Sequence, residues 1–197
     1  MATYLDTDGW SRREAFEYFR GFDKPYFNVC VRLDVAPLKA QLAGLAKSGG
    51  VGSFSLACHF VALRLANLHE PFRLRLQGGR VRVYERIGAS ATVLREDDSF
   101  SFAYFDDHPD FAQFCAGASA AIAASRAGRA PFDPKLDEAA VIHFTTLPWL
   151  HFSSFSHARN WGQEDSIPKI AFGRADAEGA RLWLPCSVEV HHALMDG

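Results

Sequence analysis

Leu182-Trp183-Leu184-Pro185-Cys186-Ser187-Val188-Glu189-Val190-His191-His192-Ala193-Leu194-Met195-Asp196-Gly197 decides how this chain is read. Its first part, Leu182 to Val190, alternates in the manner of a strand, and two histidines and an Asp-Gly pair follow directly. Successive strand side chains point to opposite faces, so only one histidine can share the face of Val188 and Val190, and that one is His192. An imidazole at a strand end can act as a general base near neutral pH, and a carboxylate just past the next bend can fix the loop around it. Adjacent strand residues rarely close on one ion, so a metal centre is the minor reading and none is expected.

Working outward, strands at 139–146 and 167–173 precede this one, the last pair separated by the polar turn Asp176-Ala177-Glu178-Gly179. Earlier, Phe72, Leu74 and Leu76 lead to Gly78-Gly79 and Val81, Val83 resume beyond it, a hairpin signal. Strands at 89–94 and 100–105 follow, and Phe27 to Val35 is the first long one. Helical spacing marks Ser11 to Phe22 with Ser11 as its cap, Leu38 to Ala46 after Pro37, Phe54 to Leu68, and Phe111 to Ala127. In the third of these helices Phe54, Cys58, Val61, Leu65 and Leu68 lie along one side with few polar breaks elsewhere, so it is expected to cross the core. The loop at 129–135, with Pro131 and Pro134, is the most linker-like segment. Adjacent strands with intervening helices predict an α+β fold, a mixed β-sheet with helices packed mainly on one face.

The 197 residues are 48% apolar and 22% charged, enough for a substantial core, and one domain spanning 1–197 is expected. The net charge is −2, and Arg64, Arg73, Arg75, Arg80 and Arg82 are dispersed, which argues against nucleic acid. The start lacks a signal-like pattern and no stretch approaches the roughly 18 apolar residues of a membrane span, so a soluble, cytoplasmic protein is expected. Cys30, Cys58, Cys115 and Cys186 are far apart and read as buried free thiols. His59, His69, His108 and His151 read as structural or surface residues.

Two further blocks stand out. Thr145-Thr146-Leu147-Pro148-Trp149-Leu150-His151-Phe152-Ser153-Ser154-Phe155 is by itself a strand end and an aromatic turn. Trp10-Ser11-Arg12-Arg13-Glu14-Ala15-Phe16-Glu17-Tyr18-Phe19-Arg20 is by itself an amphipathic helix. Together with H-H-x-x-x-D-G, and in the same order, they resemble the chloramphenicol acetyltransferase family of the coenzyme A-dependent acyltransferase superfamily. Asp34, Pro168 and Leu184-Pro185 fall at compatible spacing, so the resemblance covers nearly the whole chain. H-x-x-x-D-G alone also occurs in dihydrolipoamide acyltransferase cores and peptide-synthetase condensation domains; the L-P-W and W-x-R-R-E blocks favour the first branch.

The resemblance implies an O-acetyltransferase using acetyl-CoA as co-substrate and no metal, with chloramphenicol as the hydroxyl acceptor and antibiotic inactivation as the outcome. His192 is then the general base, and Thr145 stands where the family has a serine that hydrogen-bonds the oxyanion. Asp196 and Arg12 form a structural ion pair holding the loop. Tyr18, Phe19, Phe27, Phe100, Phe102 and Phe155 match the aromatic acceptor pocket, and the assembly is a homotrimer with sites at subunit interfaces. Departures include the reversed Tyr18-Phe19 order, Phe102 in place of an alanine, Ala171 in place of a threonine and His143 in place of an asparagine. The sequence stops at Gly197, where the family continues into a final helix, so that helix is expected to be lacking. The alternatives are an acetyltransferase for another hydroxyl acceptor and a non-catalytic trimeric binding protein for a hydrophobic ligand.

Overall fold

A computed structural model describes residues 3–128, 138–160 and 164–197; the loop at 129–135 lies outside the described residues. In chain order the elements are β1 (Thr3–Tyr4), α1 (Arg13–Phe19), β2 (Tyr26–Asp34), α2 (Ala36–Lys47), α3 (Phe54–Leu68), β3 (Leu74–Gln77) and β4 (Arg80–Val83). They continue with β5 (Gly88–Leu94), β6 (Phe100–Phe105), α4 (Phe111–Ala127), β7 (Val141–Thr146), β8 (Lys169–Phe172), β9 (Asp176–Glu178) and β10 (Arg181–His191). The main sheet runs β2-β10-β8-β7-β5-β6 with β9 on β10, and β1-β4-β3 form a small second sheet. The β5–β7 and β7–β8 pairs are parallel and the other pairs in the main sheet antiparallel, so it is mixed.

Side-chain alternation divides the main sheet into two unlike faces. Leu184 and Cys186 of β10, Ile170 and Phe172 of β8, Ile142 and Phe144 of β7 and Ala89 and Ala91 of β5 join one buried cluster with Leu63 and Ala66 of α3 and Phe114 and Ala118 of α4. The other face carries the alternate residues of the same strands, including His143, Thr145, Lys169, Ala171, Ser187 and Glu189. A second cluster, Phe16, Leu74, Val81, Ala193 and Leu194, ties α1 and the small sheet to the end of β10.

Local chemistry sets the element ends. Ser53 Oγ accepts from the Leu56 amide and an Asp110 carboxylate oxygen from the Gln113 amide, so α3 and α4 begin where a polar cap satisfies free N–H groups. Gly78 and Gly79, at φ 59° and 73°, make the left-handed turn that joins β3 to β4. One expectation needs correction. Helix α1 is shorter than Ser11 to Phe22, and Arg12 rather than Ser11 occupies its N-terminal boundary without a side-chain cap, because the turn there is closed by the Arg13 amide on the Trp10 carbonyl at 3.0 Å. In α3 the apolar stripe is buried only in part: Cys58 is buried with Leu56, His59, Leu63 and Ala66, while Val61, Leu65 and Leu68 are exposed. The helix is apolar nearly all round, so periodicity does not choose its buried side; packing on Phe144 and the hydrogen bond of His59 Nε2 with Thr146 Oγ1 at 3.1 Å accompany the face that is buried.

Candidate active site

Strand β10 ends at His191, and the Leu194 amide donates to the His191 carbonyl at 3.0 Å, closing a turn with His192 and Ala193 at its centre. The His192 amide donates to the Pro25 carbonyl at 2.7 Å, which anchors this turn to the strand entering β2. The imidazole lies flat on Phe19, 3.8 Å between centroids and 13° between planes, with Phe27 tilted against it at 4.8 Å. Its Nδ1 is 3.3 Å from the Met195 carbonyl and 3.4 Å from Asp196 Oδ1. Both neighbours only accept hydrogen bonds, so Nδ1 is the nitrogen that donates here. Arg12 spans the loop: one guanidinium nitrogen meets Asp196 Oδ2 and another donates to the His192 carbonyl at 2.9 Å.

His191 faces away. It is buried, edge-on to Tyr26 at 5.3 Å, and its Nδ1 accepts from the Ala193 amide at 3.2 Å. Burial, then the nearby Arg159 charge, push its pKa down to about 4, so the ring is neutral at physiological pH. Arg159 is itself buried. It donates to Glu189 Oε1 at 2.6 Å, the Ile167 carbonyl at 2.8 Å, Asp165 at 3.1 Å and the Glu189 carbonyl at 3.3 Å, with its guanidinium 4.5 Å over the Tyr26 ring. Lys169 donates to the Ala158 carbonyl at 2.7 Å and lies 3.4 Å from Asp165. Burial raises the Glu189 carboxyl, but the contacts of His157 and Arg159 outweigh it and bring the pKa down to about 2. The sequence reading missed this network. Its signal was Lys169 and Glu189, charged residues in otherwise apolar strands and opposite each other in register.

Thr145 sits elsewhere on the same sheet. It is opposite Ala171, which is opposite Ser187, five residues before His192 along β10. Two strand spacings and five residues of rise separate it from His192 by about 19 Å within one chain. Beside it on the same face, burial and then the Lys169 charge push His143 down to about 3, so that imidazole is also neutral.

The candidate pocket aromatics divide similarly. Phe19 and Phe27 contact His192, and Tyr18 packs on Phe19 at 5.1 Å; Phe22, absent from the sequence-derived set, completes this group at 5.3 Å from Phe19. Phe100 and Phe102 touch each other at 5.8 Å on β6, at the far edge of the sheet, with Phe102 opposite Thr92 of β5. Phe155 lies over β10, its carbonyl accepting from Ser187 Oγ at 3.4 Å. Among the described residues no group of three or more His, Cys, Asp or Glu side chains is placed to hold a metal, and no helix is long and apolar enough to cross a membrane.

The mixed sheet with helices on one face agrees with what comparison with known proteins returns. The family profile described as chloramphenicol acetyltransferase matches residues 1–197, so the chain belongs to that family and is an acetyltransferase. Chloramphenicol acetyltransferase 2 of Escherichia coli is 28% identical over 196 residues, covering 99% of this chain and 90% of that one. The chloramphenicol acetyltransferase of Campylobacter coli is 27% identical over 201 residues, covering 99% and 91%. A solved chloramphenicol acetyltransferase superposes with a TM-score of 0.81 at 26% identity, covering 100% of this chain and 93% of the other. The dihydrolipoamide acetyltransferase of Azotobacter vinelandii shares the fold at a TM-score of 0.63 and 16% identity, covering 93% and 79%.

Proposed function

We propose that this acetyltransferase moves an acetyl group from acetyl-CoA to a hydroxyl of chloramphenicol, with His192 as the general base. The observation that carries this reading is the setting of the His192 ring: Nδ1 is held against two acceptors, leaving Nε2 as the basic nitrogen, and Phe19 and Phe27 fix the plane. His192 Nε2 takes the proton of the acceptor hydroxyl as that oxygen bonds to the thioester carbonyl carbon. The Thr145 hydroxyl donates to the resulting oxyanion. The carbon–sulfur bond then breaks, and the imidazolium returns its proton to the departing thiolate. Arg12 and Asp196 act as a brace, and neither moves a proton.

Base and oxyanion donor lie about 19 Å apart along the sheet of one chain. That separation supports a site shared between copies, with His192 from one and Thr145 from its neighbour, in a cytoplasmic homotrimer of single-domain subunits comprising residues 1–197. Tyr18, Phe19 and Phe27 then approach the acceptor from one side, and Phe100, Phe102 and Phe155 from the other. A different hydroxyl acceptor is the second reading, favoured by His143 standing on β7 where the family resemblance has an asparagine.

Thiol release from acetyl-CoA in the presence of chloramphenicol tests the function, with His192→Ala as the comparison. Loss of about 10²- to 10⁴-fold in kcat is expected for that variant. Equal turnover by the two proteins eliminates His192 as base. Tight chloramphenicol binding without thiol release favours sequestration, and turnover only with other alcohols favours the second reading. A fully active monomer on a sizing column excludes the shared site.

A further inference from the structure

His191, the histidine that the proposed reaction leaves unused, is tied into the same turn as the base. We infer that His191 is a positioning residue for His192: its unprotonated Nδ1 accepts the Ala193 amide, and the Tyr26–Arg159 stack beneath it holds the ring at that angle. This rests on reading His192 as the base.

The geometry of the turn supplies the argument. Ala193 follows His192 directly, so the hydrogen bond from the Ala193 amide to His191 Nδ1 at 3.2 Å fixes the peptide on the C-terminal side of the base. On the N-terminal side, the His192 amide is fixed by the Pro25 carbonyl at 2.7 Å. The backbone of the base is thus clamped through both flanking amides, one by backbone and one by a side chain. An imidazole accepts at Nδ1 only when its proton is on Nε2, so this clamp requires one tautomer of His191.

Packing holds that ring. Tyr26 presents its face to the Arg159 guanidinium and meets His191 edge-on, and Arg159 is pinned by Glu189, Asp165 and the Ile167 carbonyl. Glu189 lies two residues before His191 on β10, so the same arginine grips the strand that delivers both histidines. A buried cation beneath a histidine also disfavours a second positive charge there, consistent with a neutral ring. A leucine at 191 would fill the volume but leave the Ala193 amide without its acceptor. An asparagine places its Oδ1 near the position of Nδ1 and restores one.

The test compares His191→Leu and His191→Asn with the parent protein in the thiol-release assay, with His192→Ala as a control. His191→Leu is expected to lose at least about tenfold in kcat with an acceptor KM within about threefold of the parent, and His191→Asn to recover to within about threefold. If His192→Ala abolishes turnover while both His191 variants keep the parent kcat, the positioning role is wrong and the base assignment stands. If His192→Ala retains full turnover, the base reading itself fails. Equal losses in Leu and Asn, or a lowered melting temperature with unchanged kcat, also overturn the inference. Nitrogen NMR of the intact parent gives an answer independent of variant folding: a resonance typical of an unprotonated ring nitrogen at His191 Nδ1 supports the clamp, and a protonated Nδ1 overturns it.

Discussion

The two faces of the main sheet come from the same strands, yet they do opposite things. On the helix-covered side, Ile142, Phe144, Ile170, Phe172, Leu184 and Cys186 are buried in a dense apolar layer. On the other side, one position along in each strand, stand His143, Thr145, Lys169, Ala171, Ser187 and Glu189, where polar groups bond to one another or stand beside the candidate site. Strand pairing makes both rows rigid. The difference shows how a strand with one face committed to the core can present reactive groups at fixed spacing on the other, without a flexible loop to carry them.

The sharpest way to break this comparison is to damage each face separately. Phe144→Ala is expected to cost about 3–5 kcal/mol of stability through the cavity it opens while leaving kcat of the folded fraction unchanged; a urea titration with assay in the native range checks both. Glu189→Ala leaves the buried Arg159 with Asp165 as its remaining carboxylate partner and one buried N–H without its acceptor, so a stability loss of about 1–3 kcal/mol is expected from a substitution on the opposite face as well. If Glu189→Ala is neutral by the same titration, that face is not held together by the ion network.

Thr145→Val should instead separate the two properties, lowering kcat by about 10²- to 10³-fold with the melting temperature retained. A kcat equal to that of the parent would remove Thr145 from the reaction.

Acid gives a smaller and graded test. His59 on the helix-covered side and His143 and His191 on the opposite side have pKa values near 4, 3 and 4 in the fold, against 6.5 for an unperturbed histidine. As pH falls below about 6.5 the unfolded chain takes up these protons first, so stability declines from there toward pH 4. The carboxyl of Glu189, lowered from 4.5 to about 2, adds its own loss only below pH 4.5. A urea midpoint that stays flat between pH 7 and 4.5 contradicts the neutral buried rings. Least of all, Arg32→Ala removes an exposed ion pair with Glu178 and is expected to change stability by less than about 1 kcal/mol in the same titration.

Much of this arrangement was legible before any coordinates. The limits of α3 and α4 could be read from their helical spacing, and β10 could be read because its alternation runs uninterrupted into the paired histidines. The pairing of Arg12 with Asp196 could be read only through the family resemblance, since 184 residues separate them. Other features depend on distance in space. The two-residue β1 has no period to detect, and the buried side of α3 is undetermined when most of its residues are apolar. The Arg159–Glu189 pair joins a loop to a strand 30 residues away, and charges so spaced leave no pattern. Register likewise separates Thr145 from His192, although both were singled out in the sequence.

That separation has a genetic consequence. Where the base and the oxyanion donor of one site come from different copies, a chain lacking His192 and a chain lacking the Thr145 hydroxyl are each inactive alone. Co-assembled, they pair an intact His192 with an intact Thr145 at some of their junctions. Two null alleles expressed together would then complement each other, and an allele lacking one of the two groups, expressed with the wild type, would spoil only its own share of the sites.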